Sequence, residues 1–150
     1  MQTREAMNET LGTAVSGSNV AGDPILIIDD DPECCRVAVD VLERAGYRVE
    51  WTVDPRFALP RIRERRYAAV VSDVEMPSMR GTDLATEAAR VRPPVPTLLV
   101  SARTDEDTRA SAQALGVGLL RKPFRGETLV RAVRALTGPP ADAPAGADAR

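Results

Sequence analysis

Five short runs of apolar, largely β-branched residues punctuate the chain, and each is followed by a longer segment of helical period. The runs are ILIID at 25–29, YRVEWTV at 47–53, YAAVVS at 67–72, TLLVS at 97–101 and a brief GLLR at 118–121. Most of them are nearly continuous in apolar character rather than alternating, so both faces of the strands they form must be covered. A sheet with one wet face is thereby excluded. Parallel strands joined by right-handed helical crossovers satisfy the pattern, giving an α/β class with a doubly wound, five-stranded parallel sheet. The expected strand order is 2-1-3-4-5, flavodoxin-like, with a ligand crevice between the first and third strands.

Helix punctuation supports the same reading. Asp31 caps a first helix with Pro32 at its first position, Val37, Val41, Leu42 and Ala45 fall on one face, and Gly46 stops it. Asp54 and Pro55 repeat that start, with Pro60 expected to kink or shorten the second helix. A third helix spans Thr82 to Arg92 before Pro93, Thr104 with Asp107 forms a capping box for a fourth, and Leu129, Val133 and Leu136 stripe a fifth. Residues 1–22 read as a flexible leader and 139–150, rich in Pro, Ala and Asp, as a flexible tail or linker. One domain at 23–138 is left, with no repeat, signal segment or membrane span.

Charge and composition narrow the chemistry. Twenty basic against 22 acidic residues leave a net charge of −2, which provides no general attraction to nucleic acid or anionic lipid. There is no histidine, so imidazole metal sites, imidazole-activated nucleophiles and a phosphohistidine of this chain's own are excluded. Cys34 and Cys35 are adjacent, a spacing poorly suited to a disulfide and too few for zinc; they read as small packing residues in a reduced, cytoplasmic setting. Alternation turns Trp51 to the core, and Arg61, Arg63, Arg65 and Arg66 read as a solvated helix face.

Acidic residues gather where the crevice should lie. Asp29, Asp30 and Asp31 end the first strand and Asp73 ends the third. Converging carboxylates repel one another unless a cation sits among them, and hard oxygen ligands suit Mg²⁺. Asp31 doubles as the helix cap. Ser101 ends the fourth strand, and the fifth runs into Lys122, the chain's only lysine among 19 arginines. A compact ammonium reaches a phosphoryl oxygen in a small pocket as a point charge, which a planar guanidinium does not. Together these groups describe phosphoryl transfer onto a carboxylate: Asp73 as nucleophile, Mg²⁺ neutralising the incoming oxygens, Ser101 and Lys122 holding the others.

The motifs IIDDDPE, VVSDVEMPSMRG, TLLVSA and LLRKPF, in that order on those strand ends, resemble the response regulator receiver domains, the CheY-like family. The resemblance covers about residues 24–137. It implies Asp73 as phosphoacceptor, with Asp30, Asp73 and the backbone carbonyl of Glu75 as Mg²⁺ ligands. Asp29 supports the metal through water, and Ser101 and Lys122 contact the phosphoryl group. It also implies a histidine kinase or histidine phosphotransfer protein as donor, a downstream protein as target, and signalling in a two-component or phosphorelay system rather than enzymatic turnover. Gly81 and Pro77 match the family's turn glycine and loop proline.

Leu119 departs from the pattern, standing where the family carries an aromatic whose ring swings inward, and the GVG loop before it is a residue short. A phosphorylation-independent adaptor on the same fold is therefore one alternative. A haloacid dehalogenase-type phosphatase is another, since Asp29 to Asp31 contain DxD. That family follows with Thr or Val where this chain has Glu33, and requires a late acidic pair absent after Lys122. Glu75 and Arg103, each two residues beyond a pocket residue, are placed to pair across its mouth.

Overall fold

A computed structural model describes residues 11–13 and 22–140. Six strands, β1 (Leu11–Thr13), β2 (Ile25–Ile28), β3 (Val49–Thr52), β4 (Ala69–Asp73), β5 (Thr97–Ser101) and β6 (Gly118–Arg121), form one sheet in the order β1-β3-β2-β4-β5-β6. The five strands from β2 onward are parallel and lie in the expected 2-1-3-4-5 order. Antiparallel β1, with Leu11 opposite Thr52 and Thr13 opposite Glu50, covers the outer edge of β3. It lies within the stretch read as a flexible leader, which thus contributes a strand; the rest of that stretch before residue 22, and the tail from 141, lie outside the described residues. No helix among the described residues is long and apolar enough to cross a membrane.

Five helices, α1 (Pro32–Arg44), α2 (Pro55–Glu64), α3 (Gly81–Arg90), α4 (Glu106–Leu115) and α5 (Gly126–Thr137), cover the sheet. Strand alternation sends Ile25, Ile27, Val49, Val71, Leu98 and Val100 to one face, where Leu42 of α1 and Leu129 and Val133 of α5 meet them. Leu26, Ile28 and Val70 point the other way, onto Ala58 and Ile62 of α2 and Leu84 and Ala88 of α3. Each fully buried Leu or Ile contributes roughly 1.5–3 kcal/mol relative to exposure, so this two-sided burial dominates the fold's stability.

Local details differ in instructive ways. Asp31 caps α1 and Asp54 caps α2, each accepting from the N–H two residues on, with Pro at the first turn of both. Pro60 lies within α2, which runs on to Glu64. The cap of α4 is Asp105, accepting from Thr108 N at 2.9 Å, not Thr104. On α1 the buried residues are Cys35, Ala38, Val39 and Leu42, whereas Val37 is 51% exposed. The buried stripe runs through 35, 38, 39 and 42, and Val37 falls to one side of it. Trp51 is half-buried against the α1/α5 core, and Cys35 is buried. Arg63, Arg65 and Arg66 are exposed but paired, with Glu87, the buried Glu50 and Asp23 respectively. Glu50, on the α2 face, also accepts from the Tyr67 hydroxyl at 2.7 Å, a buried polar contact the sequence did not suggest.

Candidate functional site

Parallel strands end at one pole, and four of them deliver polar side chains there. Asp29 and Asp30 follow β2, Asp73 ends β4, Ser101 ends β5 and Lys122 follows β6. Asp29, Asp30 and Asp73 each offer a carboxylate oxygen, and the three oxygens lie within 4.8 Å of one another.

Lys122 enters this acidic group from the far side. Its Nζ donates to Asp29 Oδ2 at 2.7 Å and lies 3.8 Å from Asp73 Oδ1. Its backbone N–H donates to Ser101 O at 2.9 Å, fastening the β6 end to the β5 end. Burial pulls the ammonium toward neutrality, but the Asp29 hydrogen bond and the charges of Asp29 and Asp73 outweigh it and hold its pKa above the usual lysine value. Asp73 is the perturbed carboxyl. Burial, with Asp29 and Asp30 adding repulsion against the opposing pull of Lys122, raises it to about 6. Three convergent carboxylates, one pushed well above its ordinary range, fit a hard divalent cation, whose charge relieves that strain.

Surrounding residues fix the frame. Asp29 Oδ1 accepts from Asp31 N at 3.0 Å, so the turn into α1 locks the carboxylate's orientation. Buried Ser101 accepts through Oγ from Arg103 N at 3.0 Å, and Ser72 Oγ donates to the Asp73 carbonyl at 2.9 Å. Gly81 N donates to Val74 O, and a Cβ at position 81 would collide with the Asp73 carbonyl oxygen, so only glycine lets α3 start this close to β4. Glu75 and Arg103 do meet, Arg103 Nη1 lying 3.3 Å from Glu75 Oε2 in an exposed pair. Glu75 also shares a shallow cleft with Asp30, Met76, Pro77 and Arg80.

Two features here were missed from the sequence. Cys34 is half-buried and in contact with the site, its Sγ 3.7 Å from Lys122 Nζ and 3.4 Å from Asp31 Oδ2. Burial and the nearby Asp29 charge push its thiol above the ordinary range, and Cys35 is pushed up to about 12, so neither is a ready thiolate. The second is a cavity of about 440 Å³ in which Asp73 and Lys122 adjoin apolar side chains of α1 and of the segment after β6. The DDD cluster signalled the acids, but nothing in the sequence marks the groove beside them.

A sheet of this order carrying these groups at its carboxyl pole defines a receiver, and comparison agrees. Residues 25–134 match the model of the response regulator receiver domain, and the chain belongs to that family. It is 32% identical over 113 residues to the probable transcriptional regulatory protein TcrX of Mycobacterium tuberculosis, covering 75% of this chain and 48% of that protein. The chain thus spans about half the length of such relatives. The chemotaxis protein CheY4 of Vibrio cholerae superposes with a TM-score of 0.70 at 31% identity, covering 77% of this chain and 99% of that one. The receiver domain of the sensor histidine kinase PA1611 of Pseudomonas aeruginosa, solved with a magnesium ion coordinated in its active-site cleft, superposes at 0.70 with 27% identity, covering 79% and 99%.

Proposed function

We propose that this response regulator receiver domain accepts a phosphoryl group on Asp73 in a Mg²⁺-dependent reaction. One observation carries the reading: the only lysine of the chain reaches 3.8 Å from the one carboxylate whose pKa is raised to about 6, beside two further carboxylates. Asp30, Asp73 and the backbone carbonyl of Glu75 would hold the metal directly and Asp29 through water. When bound, Mg²⁺ supplies charge neutralisation for the phosphoryl oxygens.

The chain's own residues do the rest. Lys122, anchored through its backbone to Ser101 O and with its ammonium 3.8 Å from Asp73, would serve a phosphoryl oxygen as a point charge. Ser101 holds another, with its hydroxyl already aligned by Arg103 N. Ionised Asp73 attacks phosphorus while Gly81 and Ser72 keep its backbone fixed. A histidine kinase or histidine phosphotransfer protein is the expected donor and a downstream protein the reader of the state. The PA1611 receiver, part of a sensor histidine kinase and holding magnesium, supports this reading by analogy.

Intact-mass spectrometry after incubation with acetyl phosphate and Mg²⁺ tests it. The unmutated protein is expected to gain one phosphoryl group and Asp73→Asn none, the amide being a poor nucleophile. Undiminished labelling of Asp73→Asn, or a modified residue mapping elsewhere, removes the assignment.

A further inference from the structure

The cavity that contains Asp73 and Lys122 measures about 440 Å³, far more than one phosphoryl group needs. Much of its remaining wall is apolar, with Val37 and Ala38 of α1 and Ala102, Pro123 and Phe124 among the residues that line it. Val37 is the one large hydrophobic residue among the described residues that stands exposed, and it stands here. An apolar wall of this extent, with a few convergent polar groups at one place, is the make-up of a small-molecule site.

Resting on the acceptor reading above, we propose that this groove seats the aliphatic acyl group of a small-molecule acyl phosphate, so that the chain prefers four-carbon acyl donors to acetyl phosphate. The charges favour such an occupant. Lys122 is the only cation lining the groove, against the carboxylates of Asp29 and Asp73 beside it and of Asp31 and Glu33 on the α1 side, so a second negative charge on the ligand would be repelled. A ligand with its negative charge confined to a phosphoryl end, and an uncharged chain elsewhere, matches that distribution. In the transfer an Asp73 carboxylate oxygen forms the new bond to phosphorus, the bond between phosphorus and the acyl oxygen breaks, and its electron pair departs with the carboxylate product. No proton and no further reactant are needed. Asp31 and Glu33 then repel the product carboxylate and speed its release.

Acetyl and butyryl phosphate have leaving groups of nearly equal acidity, so a rate difference between them reports the seat rather than the chemistry. Each additional buried methylene is worth a factor of about four, which sets an upper bound of about 15-fold for two. Labelling of the whole chain by sub-saturating donors in Mg²⁺, followed by intact mass, is expected to run about 5- to 15-fold faster with butyryl phosphate. Val37→Ser should bring labelling by butyryl phosphate down to the rate that the same variant shows with acetyl phosphate. The non-transferable butanoylphosphonate should shift the amides of Val37, Ala38, Ala102 and Phe124 in the unmutated protein. Equal rates with the two donors, a preference that survives Val37→Ser, or amide shifts elsewhere overturns the groove while leaving Asp73 as acceptor. Failure of both donors to label Asp73 removes the acceptor reading and the groove with it.

Discussion

Asp73 is a carboxyl kept partly out of water beside two others, and that arrangement has a thermodynamic signature. Its pKa is about 6 in the folded chain against 3.8 for the free group, so between those values the folded state holds more protons than the unfolded state. The raised pKa contributes stability below pH 4, and that contribution is lost as pH rises through 6. In chelator, Asp73→Asn is therefore expected to raise the melting temperature at pH 8 and to leave it nearly unchanged at pH 3.5; a gain of equal size at both pH values would refute the linkage. The Glu75 to Arg103 pair is exposed at both ends and adds little stability. Lying two residues past Asp73 and two past Ser101, the pair would stand in the path of a water attacking an aspartyl phosphate in line. Arg103→Ala should shorten the half-life of the purified aspartyl phosphate several-fold, as read by phosphate release, and identical decay would dismiss the gate.

Element by element, β6 and α4 are the lightly anchored part of the sheet. All of β6 is partly exposed, and Leu119 packs against the small cluster of Val74, Ala85, Leu99 and Ala112. Val74 directly follows Asp73, so Leu119 is in touch with the site, but it has neither ring nor hydroxyl with which to change partners. A ligand shifts two states only by its differential interaction with them. Beryllofluoride should thus move the amides of residues 105–115 and 125–136 only modestly, and more in Leu119→Tyr; large shifts in the unmutated protein would show that leucine couples as well as an aromatic. At the start of α4, Asp105→Ala should cost about 1 kcal/mol by chemical denaturation, as a lost cap does, while Thr104→Ala costs a few tenths. The sequence failed here because Thr104 and Asp105 are both good capping residues, and spacing to Asp107 favoured the wrong one. Sheet order was legible, since continuous apolar runs demand two covering layers and their polar ends locate the crevice. Val37 was not, because helical period gives an angle around the helix and not which neighbour covers it. Nor was β1, an edge strand whose pairing runs through backbone groups that every sequence possesses.

Seen whole, the molecule is a sheet with its chemistry at one pole and its closing contacts at the other, where the Tyr47 hydroxyl donates to Gly138 O at 2.9 Å and ties the end of α5 to the turn before β3. Its two lateral margins are unequal. Among the described residues, β1 lies along the outer edge of β3, while β6 has a strand partner on one side only. Unpaired strand margins are templates for adding further strands. A sheet with two equivalent templates elongates without limit, each arrival presenting a fresh one. Here one margin ends in β1, an edge strand of only three residues, which offers an incoming strand few backbone groups to pair with.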